Sequence, residues 1–470
     1  MYPGQRTPST SRIPTEYPSL TGSLLGNNVT DGRQVIGFRD PYARASYSRR
    51  YSTSMPNALM TAGDSEGATE KPSEIIVIFN NASLEEAPKK SLKFFHGICF
   101  FLAGVTTYNW FYIVLAAGSD WIGVASSGNS TDADGHFTQS DRHWTPLCHE
   151  KSASFALITY MIPVFVGKLV AMVTLNISIL IRIIGVAVIG IIGGMLIALS
   201  RNIYASAVGV GLAGFYCGFC EATFISLSSL FLKSATAWFT FGMGVICVVI
   251  ACLYVVFQDF VHEPFIFLQI NAAFPVVMLI AFALMYRDFP ERAASRGLNF
   301  KQRTADLVQH YRNYLSLSLL VMLSFIIHQG LFQILAYTQL DFLSAHQQYH
   351  LFDAMFFVGY TASMLSVKIF RLTLTWLLAA LQVINIIILT ADGVLHYIKS
   401  IWIIFFMVFY AGFLFGGGLV GAIYELYTTV DPVAREFGLA AVSAWSEIGV
   451  LLGALLGVAL HNMICSTVRK

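Results

Sequence analysis

From Phe94 onward, apolar positions form a series of runs about 20 residues long, the length of an α-helix that spans the hydrocarbon core of a membrane. About eleven runs occur, with approximate limits 94–118, 152–173, 179–199, 205–231, 235–257, 265–286, 313–338, 351–367, 372–391, 400–422 and 437–460. The connections at 174–178 and 232–234 are so short that their neighbours must form antiparallel pairs. Barrel strands would be about ten residues long and would alternate in polarity. We therefore predict an all-α polytopic membrane protein with about 11 transmembrane helices.

Residues 1–92 differ from the rest, being rich in Ser, Thr, Pro, Tyr and Arg with few aliphatic runs. Such a segment cannot bury enough apolar surface to offset the entropy of ordering, so we predict a disordered tail. No cleavable signal peptide is expected at the N-terminus. Lys89, Lys90 and Lys93 precede the first run, and the positive-inside rule then places the tail in the cytosol.

A long basic segment at 287–312 divides the predicted helices into six and about five. We predict a first transmembrane half at 93–286, a cytosolic linker at 287–312 and a second half at 313–470. This 6+5 layout resembles the two-half bundle of major facilitator transporters, although the second half is one helix short. An odd number of spans places the C-terminus in the lumen, whereas a re-entrant run would return it to the cytosol.

The composition agrees with a membrane protein, since 56% of the residues are hydrophobic and only 12% are charged. Soluble domains have about 45–50% apolar and about 25% charged residues. The 29 Lys and Arg nearly balance the 27 Asp and Glu, so no basic field favours nucleic acid. Cys217 and Cys220 lack the second cysteine pair of a zinc site. Without a phosphate-binding loop, HExxH or nucleophile elbow, we expect neither an enzyme nor a cofactor or metal.

Charged residues inside apolar runs mark candidate pathways, because a charge near the bilayer centre costs about 2.5–3.5 kcal/mol on insertion scales. Glu221 lies well within the fourth run, and Glu447 is central in the last. Lys168 lies toward the cytosolic end of the second run, where it is either functional or snorkelling. Arg182 begins the third run and is expected to snorkel. For both glutamates the alternative is a protonated carboxyl bonded to a neighbouring helix.

Several neutral polar residues are further candidates. His328 and Gln329 lie mid-run and form either a proton or ligand site or a link between helices. Tyr108 and Asn109 in the first run have the same two interpretations. Gly449, Gly453 and Gly457 recur every four residues and predict a seam of close helix packing.

Two short patterns lie outside the apolar runs. Asn129-Ser130-Thr131 is a glycosylation sequon in a segment that the predicted topology places in the lumen. In the tail, Tyr17 and Leu20 form a tyrosine-x-x-bulky pattern of the kind that sorting adaptors bind, although such short patterns also arise by chance.

Five strings in one order resemble the battenin family, the lysosomal membrane proteins whose loss causes juvenile neuronal ceroid lipofuscinosis. They lie at 218–227, 328–332, 347–349, 375–382 and 435–441, within a resemblance that extends from about Phe94 to Cys465. The tail does not match. The family can carry glutamates where this chain has Ser324 and Gln333, so details that depend on those charges are in doubt.

The resemblance implies a multi-pass lysosomal or late endosomal membrane protein with a facilitator-like fold and a role in lysosomal pH, autophagy and trafficking. It implies export of glycerophosphodiesters, either directly or as a requirement, with protons as a possible coupling ion. The implied partners are the lipid bilayer, a small polar phosphodiester and sorting adaptors. Two alternatives stay open, namely a non-transporting endolysosomal scaffold and a cationic amino-acid or nucleoside carrier.

Overall fold

The computed structural model describes residues 94–127, 152–200, 203–231, 233–260, 271–286, 300–336, 345–366, 374–430 and 434–468. The regular secondary structure of these described residues is helical throughout. The predicted tail with Tyr17 and Leu20, the sequon at Asn129 and the start of the basic linker lie outside the described residues.

The helices follow the order of the apolar runs. The first six are α1 (Phe94–Ser127), α2 (Ser152–Val173), α3 (Ile179–Leu199), α4 (Ile203–Ser228), α5 (Lys233–Phe260) and α6 (Phe274–Tyr286). The next six are α7 (Phe300–Gln309), α8 (Tyr311–Gly330), α9 (Ala345–Ser366), α10 (Thr375–Leu395), α11 (Ile401–Thr429) and α12 (Arg435–Val468), with one further helical turn at Phe332–Leu335.

Each of the eleven predicted runs coincides with one of these helices, which confirms the predicted all-α fold class. Within the described residues, nine helices are long and apolar enough to cross a membrane. The described part of α6 has 13 residues and is shorter than a span. The polar side chains of α9 keep it outside that set of nine. The short helix α7 lies inside the predicted linker and was not predicted.

Glycine residues allow the most extensive helix contacts, which join α2 to α4, α1 to α5, α8 to α12 and α9 to α11. A Cβ at Gly218 on α4 would overlap the carbonyl oxygen of Val164 on α2. At Gly449 on α12, a Cβ would overlap the carbonyl oxygen of Ser318 on α8. Small residues thus let the backbones touch, and they fix the register of the side chains one turn away. The predicted seam through Gly449 is confirmed.

The helices differ in how much of their surface other helices cover. In α4, 78% of the span is buried, whereas only 39% is buried in α3 and in α10. Large apolar side chains on the perimeter helices, such as Ile181 and Ile387, are exposed. Such outward-facing apolar surface suits contact with lipid. Helix α4 is therefore central, and its polar side chains face other helices.

Several contacts gather at one end of the bundle. Arg303 on α7 donates to Asn176 after α2 at 2.9 Å, and its guanidinium lies 5.6 Å from the ring centre of Phe437 at the start of α12. Tyr427 near the end of α11 donates to the carbonyl oxygen of Phe231 after α4 at 2.8 Å. These positions belong to segments that the predicted topology places in the cytosol, so the predicted cytosolic segments share one end.

Candidate functional site

Three buried charged side chains meet between α2, α4 and α12. Lys168 Nζ lies 2.9 Å from Glu221 Oε2 and 3.0 Å from Glu447 Oε2. The side chain of Lys168 is only 1% exposed, so it does not snorkel to the membrane surface. Lys168, Glu221 and Glu447 are called the charge cluster below. The sequence marked each residue separately, and the structure brings all three together.

Helix register explains why they meet. On α2, Val164 lies four residues before Lys168, and on α4, Gly218 lies three residues before Glu221. Residues three or four apart share a face of a helix. Because Gly218 packs directly on Val164, the next turn along both helices brings Glu221 to Lys168. The absence of a Cβ at one position therefore sets the ion pair at the next.

The two glutamates differ in their hydrogen bonding. Tyr108 on α1 donates to Glu221 Oε2 at 2.8 Å, and Ser443 on α12 donates to Glu221 Oε1 at 2.7 Å. Glu447 Oε2 accepts from Lys168 at 3.0 Å, but Glu447 Oε1 has no hydrogen-bond partner among the described residues. Glu221 is thus held on both oxygens, whereas one oxygen of Glu447 is free to bind a proton or a ligand.

With both carboxylates ionised, one Lys⁺ and two Glu⁻ give the charge cluster a sum of −1. An uncompensated charge in a buried site is costly, and the uptake of one proton or one cation removes it. The cluster is therefore suited to bind a proton or a positively charged group.

A small cavity adjoins the charge cluster and is lined by Lys168, Glu447, Ser446 and Cys217 on its polar side. Six aromatic rings contribute to its walls, from Tyr108, Phe111, Phe325, Phe357, Tyr360 and Phe415. The space open to the centres of water molecules is about 20 Å³, which holds about one water. The structure is thus closed around the cavity, and a larger molecule enters only when helices separate.

His328 and Gln329 do not join the charge cluster. Gln329 Nε2 lies 2.8 Å from His328 Nδ1, and His328 Nε2 lies 3.1 Å from Asp353 Oδ1 on α9. Gly330 packs against Gly457, which is ten residues along α12 from Glu447, or about 15 Å at the helical rise. The pair therefore lies toward the end of the bundle away from the Arg303 contacts.

Two other predicted residues have different surroundings. Asn109 is buried and donates to Asn271 at 3.3 Å, which links α1 to the segment before α6. The expectation that Arg182 snorkels is wrong. Its side chain is buried, and its Nη2 donates to the Ala171 carbonyl oxygen at 3.1 Å and to Thr223 at 2.9 Å. These bonds tie α3 to α2 and α4 because a buried guanidinium must find acceptors.

Two important residues were missed by the sequence reasoning. Ser443 lies four residues before Glu447 on the same helical face, a spacing that the sequence does show. Asp353 is a carboxylate inside an apolar run, which is the same signal that identified Glu221. Its side chain is completely buried. Among the residues that the structure describes, no group of three or more His, Cys, Asp or Glu side chains forms a metal site.

Comparison with protein families gives a match over most of the chain. The family model of the CLN3 protein matches residues 98–307 and 291–467. Battenin of Canis lupus familiaris is 25% identical over 398 residues, covering 78% of this chain and 90% of battenin. Protein BTN1 of Kluyveromyces lactis is 26% identical over 295 residues, covering 58% of this chain and 76% of that protein.

Solved structures share the fold at low sequence identity. The human organic anion transporter MFSD10 (TETRAN) aligns with a TM-score of 0.52 and 13% identity, covering 79% of this chain and 96% of that chain. The proton:xylose symporter XylE aligns with a TM-score of 0.51 and 11% identity, covering 80% of this chain and 95% of that chain. The helical bundle thus shares its fold with these two transporters, which confirms the predicted facilitator-like fold class.

Proposed function

The chain belongs to the CLN3 protein family, and we propose that it is a membrane transporter that carries small polar phosphodiesters, of the glycerophosphodiester class, out of the lysosome. The observation that carries this proposal is the charge cluster, in which Lys168 and Glu221 of the first six helices meet Glu447 of the last helix beside a closed cavity. In a facilitator fold, alternating access separates the two halves around a central site. Opening between α2 and α12 must therefore break the contact of Lys168 with Glu447.

Protons are proposed as the coupling ion because of the charge balance. A phosphodiester carries one negative charge, and Lys168 is the only cation lining the cavity in the described part of the chain. Two carboxylates already neutralise Lys168 and leave a sum of −1, which repels an anion. Protonation of both changes the sum to +1 and frees Lys168 for the phosphate. An acidic lumen supplies these protons on the side where the substrate binds.

The remaining parts of the proposal concern location and cellular role. We place the protein in the lysosomal or late endosomal membrane with a cytosolic N-terminus, where the Tyr17 and Leu20 pattern meets sorting adaptors. Support for autophagy, trafficking and lysosomal pH then follows from the clearance of phosphodiesters and from the protons that accompany them.

A second candidate function is transport of a cationic amino acid or nucleoside, and the charge cluster also favours it. An unprotonated sum of −1 beside six aromatic rings attracts a cation, both by Coulomb attraction and by cation–π contact. The two functions predict opposite effects of acid on the substrate side. Acid should increase the uptake of a phosphodiester, and it should decrease the uptake of a cation that competes with protons.

The test uses purified full-length protein in liposomes with labelled glycerophosphocholine and labelled lysine, each with and without a pH gradient. We expect saturable phosphodiester uptake that rises when the substrate side is acidic. Glu221→Gln and Glu447→Gln should each abolish the effect of the gradient. Asp392→Asn is the matched control, because Asp392 on α10 is equally buried but accepts from the backbone N–H of Ile398 in the loop that follows α10.

Two results would contradict the proposal. Acid-inhibited uptake of lysine without phosphodiester uptake would establish the cation carrier instead. No uptake of either compound by monodisperse wild-type protein, with phosphodiesters still accumulating in cells that lack it, would favour the non-transporting scaffold.

A further inference from the structure

A second buried acidic side chain lies outside the charge cluster. His328 on α8 and Asp353 on α9 are both completely buried, and their nearest N and O atoms are 3.1 Å apart. The rings of Phe325, Phe332 and Phe356 surround the imidazole at centroid distances of 5.7, 4.9 and 5.2 Å. This environment is apolar, so it offers little to stabilise a net charge.

Gln329 Nε2 lies 2.8 Å from His328 Nδ1, but the polar atoms with which His328 and Asp353 face each other are not satisfied by hydrogen bonds. His328 Nε2 and both carboxylate oxygens of Asp353 lack a hydrogen-bond partner among the described residues, so the 3.1 Å contact is close but not aligned. Tyr112 on α1 is also buried with an unpartnered hydroxyl. Its ring packs edge-on against Phe357 of α9, four residues after Asp353, with ring centroids 5.3 Å apart. Buried polar groups are normally bonded, so four open atoms in one place need an explanation.

Few other titratable groups face the pair from the helices packed around it. Tyr349 and His350 lie on α9 itself, with His350 three residues before Asp353 on the same helical face, and Cys247 lies on α5. On α12, His461 bonds to the backbone at Gly330. Lys168 is far along the bundle and is already paired with two carboxylates. Among the described residues, His328 is the histidine placed in contact with the Asp353 carboxylate, at 3.1 Å.

We propose that His328 and Asp353 form a second proton-binding site at the contact of α1, α8 and α9, and that closing this contact takes up one proton. With one proton, the pair is either a neutral imidazole beside a carboxylic acid or an imidazolium beside a carboxylate, and both forms have no net charge. Without it, a lone carboxylate is buried with unbonded oxygens. When the helices separate and water enters, the carboxylate is solvated and the proton leaves to water.

This proposal predicts a particular pH profile. A water-exposed imidazole gains a proton near about pH 6.5, and a water-exposed carboxyl near about pH 3.9. Above about pH 6.5 the open pair holds no proton, so closing becomes up to about tenfold more favourable for each unit by which the pH falls. Below about pH 6.5 an imidazole in water already holds the proton, and the profile becomes flat.

The two single substitutions should change this profile differently. In Asp353→Asn, the closed contact needs no proton, so closing does not depend on pH above about pH 6.5. Below about pH 6.5 closing becomes less favourable as the pH falls, because the water-exposed imidazole must first lose its proton. In His328→Gln, the lone carboxyl must gain a proton at every pH down to about 3.9, so the dependence continues into the acid range. Asp392→Asn should behave like the wild type.

Native Cys247 provides the reporter. It is buried on α5, three residues after Gly244, which packs on Thr361 of α9. A small water-soluble maleimide would be applied to the full chain in lipid nanodiscs, and the modification of Cys247 would be measured by mass spectrometry. All variants would be compared at the same pH, which cancels the pH dependence of the thiol reaction. Cys220 on α4, which is buried and does not line the cavity, detects general unfolding.

In the wild type, we expect maleimide modification of Cys247 to decrease as the pH falls to about 6.5 and then to stay constant. The two variants should show the pH dependences described above. Asp353→Asn with the same profile as the wild type would overturn the proposal. If Asp353→Asn exposes Cys220 as well, the variant is unfolded and the profile of His328→Gln decides; a wild-type profile there overturns the proposal. The measurement needs no substrate, so it can fail or succeed separately from the proposed transport function.

Discussion

Replacing Lys168 with methionine should destabilise the protein more than replacing either of its carboxylate partners with glutamine. Methionine has a similar length, so the cavity that remains is small. The electrostatic change is large, because Lys168 lies 2.9 and 3.0 Å from the two carboxylates and is their shared cation. Its removal changes the charge sum from −1 to −2, whereas Glu447→Gln changes it from −1 to 0.

The distances give the size of the difference. Removing one partner of a buried ion pair costs about 3–5 kcal/mol. Coulomb's law at 2.9 Å with an effective dielectric constant of 20 gives roughly 6 kcal/mol for each contact, so two contacts exceed that range unless the glutamates take up protons. Glu447→Gln removes one hydrogen bond between charged groups, worth about 1.5–3 kcal/mol, and leaves Lys168 paired with Glu221.

Unfolding of the purified protein in detergent, followed by tryptophan fluorescence during heating, measures the order of stability. We expect the melting temperature of Lys168→Met to be well below that of Glu447→Gln. The double variant should melt above Lys168→Met alone, because it leaves a single carboxylate, Glu221, bonded by Tyr108 and Ser443. If Lys168→Met melts at or above Glu447→Gln, or if the two effects simply add, the charge cluster does not act as a unit.

Three further substitutions test the contacts around the charge cluster. Gly218→Ala should yield little monodisperse protein, because the added Cβ overlaps the α2 backbone. Gly185→Ala is the control and should purify normally, because nothing lies within 4 Å of its Cβ. Equal yields of the two variants would contradict this reasoning. Tyr108→Phe removes the 2.8 Å hydrogen bond to Glu221 and should lower the free energy of unfolding by about 1.5–3 kcal/mol, seen as a lower melting temperature. An unchanged melting temperature would show that this hydrogen bond does not stabilise the protein. Arg182→Gln should also lower the melting temperature, since it breaks two buried bonds worth about 1.5–3 kcal/mol each, and the tolerance typical of a snorkelling side chain would refute this.

Helix positions were predictable because the membrane makes each span an uninterrupted apolar run whose backbone bonds within itself. Charged residues such as Glu221 were also visible, because a buried charge is costly and therefore rare. Helix α7 was missed because it is a polar helix in the linker, held by Arg303 against Asn176 rather than by an apolar run. Its apolar residues recur at helical spacing, but the segment is too short and too polar to be recognised as a membrane span.

The partners of the charged residues were not predictable. Lys168 and Glu447 are 279 positions apart, and no periodicity within one helix says which other helix it meets. Arg182 was misjudged for the same reason. A cation near a helix end snorkels if water is in reach, and only the packing of α2 and α4 shows that Ala171 and Thr223 are nearer.

The charge cluster and the His328–Asp353 pair are joined by shared aromatic rings, and this gives the proposed transport cycle its physical basis. Lys168 of α2 contacts Glu447 of α12 beside the cavity, and His328 of α8 contacts Asp353 of α9 just outside its lining. Rings of Phe325 and Phe357 line the cavity and lie 5.7 and 6.0 Å from His328, so they connect the two sites. A substrate larger than one water displaces these rings before it reaches Lys168. Because interiors are close-packed, such a displacement shifts helices rather than compressing them. In the proposed cycle it therefore couples the His328–Asp353 contact to the substrate held beside Lys168.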